Sequence, residues 1–180
     1  ALGAFPAGLK FVLQRWEAGG EDARGMYTLG FLAHSPALAK AFLTLNKHVA
    51  ADSTLNARER ELLILRISWL RQSEYEVVQH NILGRRAGLT DEELVQIQTG
   101  PADAAWSTAD ANLLQVADDL HANACIGDET WKRLAERYDT RQIMDMIFLV
   151  GCYKVLAMGI KSFRIPLEPG VAGLDSAAKA

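Results

Sequence analysis

Cysteine is scarce in this sequence, and the short motifs that usually indicate a metal, nucleotide or nucleophile site are missing. The 180 residues include only Cys125 and Cys152, too few for a disulfide scaffold, so we expect two reduced thiols and a cytoplasmic protein. The sequence contains no HExxH or CxxC, no glycine-rich phosphate loop after a strand and no GxSxG elbow. These absences argue against a metal centre, a bound nucleotide and a serine hydrolase, and we expect no cofactor.

Charge and hydropathy argue against two further classes of protein. The formal net charge is −3, and lysine and arginine are scattered rather than gathered into a basic stripe, so no nucleic-acid partner is expected. No uninterrupted apolar run approaches the roughly 20 residues that span a bilayer. The first residues lack the basic segment and apolar core of a signal peptide. We therefore expect no membrane partner.

The sequence does contain apolar residues at helical spacing, and it shows no convincing period-two alternation. We predict an all-α fold: a compact bundle of about eight helices in a single domain, residues 1–180, with a core at about 28–165 and an irregular tail at 166–180. The predicted helices cover residues 8–16, about 36–50, 57–72, 74–87, 91–98, 109–124, 129–138 and 141–163.

Capping residues support these helix boundaries. Three capping boxes are predicted, each with an acceptor side chain at the N-cap and Glu or Gln three residues later: Asn56 with Glu59, Thr90 with Glu93, and Asp139 with Gln142. Asp128 is expected to cap the helix at 129–138. The last long helix has few charges, so a 180-residue monomer would have difficulty covering it, and we expect a homo-oligomeric interface there.

One short segment, SEYEVVQH, concentrates groups that can carry a proton. On a helix Ser73, Glu76 and His80 share one stripe, because residues three, four and seven apart lie on the same face. Two interpretations remain open at this point. Glu76 and His80 are either an exposed i,i+4 pair with little energetic effect or a proton-transfer pair in which the carboxylate fixes the histidine tautomer.

Two more candidates lie outside this segment. Glu61 stands at the start of the most apolar stretch in the chain, where burial would require a partner, either a salt bridge to Arg58, Arg60 or Arg66 or a role in a site. His121 lies on the edge of an apolar helical stripe, as a structural hydrogen-bonding residue or as part of the site.

Over roughly residues 28–98 the sequence resembles the carboxymuconolactone decarboxylase family, which includes the alkylhydroperoxidase D proteins. The most specific piece is RERELLILR, followed after a gap by a histidine and then AGLTDEE. The segment 108–170 resembles the C-terminal half of longer members. The resemblance implies an all-helical, alkylhydroperoxidase D-like fold and a homo-oligomer that is a trimer or a multiple of one.

The resemblance also assigns positions in the site. The redox-active branch of the family carries a Glu, then CxxC, then a His; Glu61 and His80 match the first and last of these. Ser73 and Glu76 stand where the two cysteines would be, so this chain resembles a branch that lacks the thiols. A thiol peroxidase needs a thiolate and a resolving thiol, so we expect this chain not to be one.

The resulting hypothesis is a cofactor-free decarboxylase, lyase or isomerase acting on a small carbonyl compound, lactone or aromatic-derived acid. His80 would be the general acid or base, Glu76 its orienting or partner acid, and Glu61 an anchor behind them. Tyr75 would donate a hydrogen bond to a developing enolate, and Ser73 and His121 would help to bind substrate. The alternatives are a non-catalytic helical oligomer that binds a small molecule or a protein, and residual thiol redox activity through Cys125 or Cys152.

Overall fold

The computed structural model describes residues 25–174, and within them the chain forms eight α-helices, one π-helical turn and no strand. This confirms the predicted all-α class. The helices are α1 (Met26–Leu32), α2 (Pro36–Lys47), α3 (Ala57–Leu70), α4 (Glu74–Arg86), α5 (Asp91–Thr99), α6 (Thr108–Asn123), α7 (Asp128–Ala135) and α8 (Thr140–Ser162), and the π-helical turn is His48–Asp52. The helix predicted at 8–16 lies outside the described residues. Helix α1 was not predicted.

Capping chemistry sets most of the helix starts. All three predicted capping boxes are present, with both reciprocal hydrogen bonds, at the starts of α3, α5 and α8. The prediction for Asp128 is wrong. Gly127 occupies the N-cap of α7, and Asp128 is the first helical residue, where its carboxylate faces the positive end of the helix dipole. The Ser107 hydroxyl caps α6 by accepting a hydrogen bond from the backbone N–H of Asp110.

Helix α3 is the centre of the bundle and packs against α4, α6 and α8. Its middle is apolar on every side, and Leu62, Leu63 and Ile67 are completely buried, as the sequence predicted. Helices α3 and α6 are linked by two ion pairs of equal sequence separation: Arg58 with Asp110 and Arg66 with Asp118. The constant separation of 52 residues means that the two helices run parallel and in register.

Helix α8 has one buried and one exposed apolar side. Met146, Leu149 and Val150 are buried in the core. By length and composition alone, this 23-residue helix could cross a membrane, which the sequence prediction did not allow for, but half of its most apolar window is buried within the fold. A helix in the core of a soluble protein meets the same criteria, so the length of α8 is weak evidence for a membrane span.

The exposed side of α8 carries a continuous apolar stripe. Met144, Phe148, Val155 and Met158 are each about half exposed, between 47% and 57%, and Gly151 lies between them on the same face. The successive spacings of four and three residues align these side chains along one side of the helix. A stripe of this kind is the usual seam between packed helices, so it is where we expect a second copy to bind.

A charge in this stripe should dissociate the assembly. We expect Phe148→Glu to lower the sedimentation coefficient from that of a trimer, or a multiple of it, toward that of a monomer at micromolar concentration. The reason is that an interface residue would then bury an unpaired carboxylate. Val95→Glu makes the same change at an exposed apolar residue on α5 and should leave the assembly intact. A wild-type protein that sediments as a monomer at micromolar concentration would contradict the prediction.

Candidate functional site

The centre of the site is a hydrogen bond between two buried side chains on neighbouring helices. Nδ1 of His80 on α4 lies 2.8 Å from Oε2 of Glu61 on α3, and both residues are 9% exposed. Because an ionised carboxylate only accepts hydrogen bonds, this contact places the proton on Nδ1. The Nε2 atom makes no hydrogen bond to a described residue. Its lone pair is therefore available to accept a proton.

Neither of the other proposed arrangements for these residues is observed. None of the three candidate arginines forms a salt bridge with Glu61. Arg58 pairs with Glu93 and Asp110, and Arg66 pairs with Asp118. Arg60 donates to the backbone carbonyl of Leu55. The exposed i,i+4 pair is also wrong, because Glu76 and His80 are both buried. The carboxylate bonded to the imidazole is Glu61, so of the two roles considered for Glu76, orienting group or partner acid, the first is occupied by Glu61.

Close packing of α4 on α3 makes this contact possible. Gly84 lies one turn after His80, and Leu65 lies one turn after Glu61, so the two pairs face each other across the interface. A β-carbon at Gly84 would stand 3.2 Å from Cδ1 of Leu65 and 3.0 Å from Cδ1 of Leu89. The absence of a side chain at residue 84 therefore lets α4 approach α3 closely enough for the imidazole to reach the carboxylate.

Glu76 is buried on the same helix, one turn before His80. It is 2% exposed, and neither of its carboxyl oxygens makes a hydrogen bond to a described residue. Burial raises the pKa of Glu76 to about 7, against smaller lowering effects from Ser73 and His80. An acid with this pKa exchanges its proton near neutral pH, which an ordinary exposed glutamate does not.

Glu76 and His80 line the same cavity, which has a volume of about 280 Å³. Its walls come from α1, α2, α4 and α8. Most of the wall is apolar, from Leu29, Leu32, Phe42, Leu43, Leu83, Leu156 and Ile160, and the polar lining is Thr28, Asn46, Tyr75, Glu76, Gln79, His80, Arg86 and Tyr153. A small, mostly apolar cavity with a few convergent polar groups is the usual form of a small-molecule site.

Tyr153, on α8, is a site residue that the sequence reasoning missed. Its ring meets the His80 imidazole edge to face, with centroids 5.0 Å apart. Burial raises the pKa of the Tyr153 hydroxyl, and the nearby carboxylates Glu61 and Glu76 raise it further, so the group stays a neutral phenol. The sequence indicated only that Tyr153 lies among the apolar residues of α8. That pattern does not distinguish a tyrosine of the core from a tyrosine of the site.

The predicted role of Tyr75 is only partly consistent with its position. Tyr75 lines the cavity, but its hydroxyl donates to Oε1 of Glu168, which lies in the tail after α8. The other oxygen of Glu168 accepts from Nε2 of Gln79 at 2.8 Å. Burial, followed by the Glu168 contact, raises the pKa of Tyr75. The hydroxyl is therefore already engaged and is not a free donor for an enolate.

Ser73 and His121 do not lie on this cavity. Ser73 is buried beside Glu76 at the start of α4, and it lines a second, larger cavity of about 520 Å³ with Trp69 and Leu174. The pKa of His121 is lowered by desolvation and by the charges of Arg71 and Lys154. Its position at the end of α6 gives it no contact with His80. The structure thus brings together Glu61, Glu76, His80 and Tyr75, and it leaves Ser73 at the edge and His121 outside.

Among residues 25–174, no group of three or more His, Cys, Asp or Glu side chains is arranged to hold a metal ion. The two cysteines are separate free thiols: Cys125 is exposed, and Cys152 is buried beside Asn46. Burial raises the pKa of Cys152, which disfavours the reactive thiolate.

Comparison with known proteins shows that the segment containing the site is similar to a known family. Residues 36–119 match the model of the Carboxymuconolactone decarboxylase family. This match confirms the resemblance predicted from the sequence, and the matched segment contains Glu61, Ser73, Glu76 and His80. Tyr153 and Glu168 lie outside it. No curated protein matches the chain.

Solved structures share the fold. An uncharacterized peroxidase-related protein with an alkylhydroperoxidase AhpD core, from Ralstonia eutropha JMP134, is 18% identical with a TM-score of 0.77, over 94% of this chain and 90% of its own. A protein of unknown function from Agrobacterium tumefaciens, described as an AhpD candidate, is 20% identical with a TM-score of 0.70. The match covers 77% of this chain and 97% of that protein. A peroxidase-related protein from Silicibacter sp. TM1040 is 17% identical with a TM-score of 0.67, over 75% and 72%. At these identities the likeness is one of fold alone.

The pKa of Glu76 predicts how stability depends on pH. The group titrates at 4.5 when unperturbed and at about 7 in the folded protein, so between these values the folded state keeps a proton that the unfolded state releases. Stability therefore falls as pH rises from 4.5 to 7, by about 3 kcal/mol at about 1.4 kcal/mol per pH unit. Glu76→Gln removes this loss, so the variant should gain stability relative to wild type over that range.

Chemical unfolding of both proteins at pH 5 and pH 8 measures the effect. Glu92→Gln makes the same change on an exposed side chain and serves as the control. A difference between Glu76→Gln and wild type that stays constant with pH would contradict a neutral buried carboxyl at Glu76.

Proposed function

We propose that the chain is an acid–base enzyme that moves a proton at the carbon next to a carbonyl group of a small substrate, without thiol chemistry. The observation that carries the proposal is the shared cavity: a histidine oriented by one carboxylate stands beside a second, buried carboxyl with a pKa near neutrality. Two titratable groups in different environments, one able to accept and one able to donate, are the requirement for such a reaction.

His80 supplies the base in this mechanism. Glu61 accepts the Nδ1 proton and holds the ring in the tautomer whose Nε2 lone pair is available. When Nε2 takes a proton, the positive charge that forms on the imidazole is stabilised by the Glu61 carboxylate. Glu61 is therefore a positioning residue, and its buried charge is compensated by the same contact.

Glu76 supplies the acid. At neutral pH a large fraction of this carboxyl is protonated because it is buried without a hydrogen-bonding partner among the described residues. A proton delivered from Glu76 to the carbonyl oxygen would balance the charge that develops when His80 removes a proton from the neighbouring carbon. The product is an enol, which becomes an isomer when a proton returns to a different carbon. Loss of a carboxyl group from the carbon next to the carbonyl would form such an enol directly, with CO₂ as the leaving group and the proton from Glu76 on the carbonyl oxygen.

The cavity limits the substrate to a small and mainly apolar compound. Its volume of about 280 Å³ and its wall of leucine, isoleucine and phenylalanine fit a single ring or a short chain with few polar groups. Small carbonyl compounds, lactones and aromatic-derived acids all meet this requirement. The Carboxymuconolactone decarboxylase family match is consistent with this class of reaction and does not specify the substrate.

Hydrogen exchange in D₂O tests the proposal without knowledge of the natural substrate. We expect the protein to accelerate exchange of the α-protons of cyclohexanone or of a small lactone, followed by proton NMR. His80→Gln should slow this exchange by about 10²–10⁴-fold, the usual contribution of a general acid or base. Glu61→Gln should have a smaller effect, because the ring keeps a hydrogen-bonding partner.

His34→Gln, at an exposed histidine, is the matched control and should leave the rate unchanged. Full exchange activity in a folded His80→Gln protein would contradict the catalytic assignment and favour a non-catalytic binding protein.

A second prediction concerns thiol chemistry. Because Ser73 and Glu76 occupy the positions that the resemblance gives to the two thiols, we expect no lipoyl- or thiol-dependent peroxidase activity. A coupled peroxide-consumption assay checks this on wild type and on the double variant Cys125→Ala/Cys152→Ala. Peroxide turnover that disappears when either cysteine is replaced would instead support the redox alternative.

A further inference from the structure

Glu168 is a buried carboxylate that the acid–base mechanism does not use. It lies in the tail after α8, is 7% exposed, and reaches back to two residues of α4 that line the cavity. The Tyr75 hydroxyl donates to Oε1, and Nε2 of Gln79 donates to Oε2 at 2.8 Å. The backbone N–H of Tyr27 is 3.4 Å from Oε1. Every one of these partners is a neutral donor.

The chemistry of a carboxylate fixes the orientation of both α4 side chains. Both oxygens of Glu168 act as acceptors, which is the bonding pattern of the ionised form. The Tyr75 O–H must therefore point at Glu168 rather than into the cavity. The amide of Gln79 must likewise turn its NH₂ group toward Glu168, because the opposite orientation would place two acceptors together.

This orientation leaves only acceptors on the cavity side of the two residues. The amide oxygen Oε1 of Gln79 makes no hydrogen bond to a described residue. It is also not fully buried, so a ligand can reach it. The phenol oxygen of Tyr75 has given its only proton to Glu168, and its lone pairs face the hydroxyl and backbone of Thr28, so Oε1 of Gln79 is the main acceptor left for a ligand. By contrast, Tyr153, on the same cavity, can donate a proton from a neutral side chain.

We propose that Glu168 is a specificity-determining residue that makes the Tyr75–Gln79 wall of the cavity accept hydrogen bonds, and that the ligand is a carbonyl compound that also carries a hydroxyl or N–H donor. This inference rests on the proposed function only in taking the cavity as the substrate site. A ligand of this class places its carbonyl oxygen near Tyr153 on α8 and its donor on Gln79 on α4. Two acceptors on the ligand would leave the wall unmatched.

A pair of probes that differ in one hydrogen-bond donor tests the proposal by binding rather than turnover. The probes are trans-4-hydroxycyclohexanone and trans-4-fluorocyclohexanone, which are close in size, but fluorine cannot donate. Dissociation constants are measured by NMR titration. The wild-type protein should bind the hydroxy compound about three- to tenfold more tightly, the effect of one net hydrogen bond.

Glu168→Gln should remove or reverse this preference. The introduced amide oxygen can still accept from the Tyr75 hydroxyl, but the introduced NH₂ group then faces Gln79 and donates to its Oε1. The Gln79 amide turns over and presents its own NH₂ group to the cavity. The Tyr75–Gln79 wall then offers a hydrogen-bond donor to the ligand. The hydroxy compound therefore no longer binds more tightly than the fluoro compound.

Glu74→Gln is the matched control. Glu74 accepts from the backbone N–H of Leu174 at 3.0 Å, so it also holds the tail, but it lies outside the cavity. This variant should keep the wild-type preference. If Glu168→Gln fails to fold, Gln79→Met, which removes the accessible amide oxygen and retains the length of the side chain, should lower the preference to below about twofold while Tyr75 stays bonded to Glu168.

The outcomes separate this inference from the acid–base proposal. Equal binding of the two probes to wild type, a preference that survives in a folded Glu168→Gln or Gln79→Met protein, or no binding of either probe would each overturn the role of Glu168. None of these measurements depends on proton transfer by His80. Failure of the acid–base proposal would be seen instead as absent His80-dependent exchange in D₂O.

Discussion

The hydrogen bond between Nδ1 of His80 and Oε2 of Glu61 is the interaction on which the rest of the site depends. It explains how a carboxylate is tolerated in a helix whose middle is buried in the core, since a buried charge without a partner is strongly destabilising. It also fixes which imidazole nitrogen faces the cavity. The same contact therefore stabilises the α3–α4 pair and defines the chemistry available between them.

The fold has to satisfy two conditions for this contact to form. The chain must turn between α3 and α4, and the two helices must approach closely. The turn occurs at Arg71–Ser73, where Gln72 takes a left-handed conformation with φ of 51°, an uncommon state for a residue other than glycine. The close approach depends on Gly84. Gln72 and Gly84 both lie close to the site. Substitutions at either residue will therefore affect the position of His80.

Sequence reasoning predicted the local features of the fold well and the long-range ones poorly. Helix boundaries at Asn56, Thr90 and Asp139 were readable because a capping box is completed within four residues. The pairing of Glu61 with His80 was suggested only by the family resemblance, because periodicity on α4 pointed to Glu76 as the partner. The contact of Glu61 with His80 depends on how two helices pack, and the residue pattern of a single helix does not contain that information.

Glu168 illustrates the same limit from another direction. Its partners Tyr75 and Gln79 are 93 and 89 residues away along the chain, and the tail that carries it has no helical period to mark one face as buried. A glutamate between two prolines in an irregular tail has the sequence appearance of a solvent-exposed residue. Only the tertiary structure shows that Glu168 accepts hydrogen bonds from two side chains of α4.

The carboxyl at residue 76, where the resemblance implies a thiol in the redox-active branch, gains a physical meaning from these contacts. A cysteine thiol in this position would be part of a redox pair, whereas a carboxyl can only gain or lose a proton. Glu61 already takes the Nδ1 side of the His80 imidazole, and Glu76 lies buried one turn before His80 on α4. Desolvation raises the pKa of Glu76 to about 7 and outweighs the lowering effects of Ser73 and His80. The helix packing that holds His80 depends on the Glu61 contact and on Gly84, and neither requires sulfur, so a histidine and a buried carboxyl can be held together here without thiols.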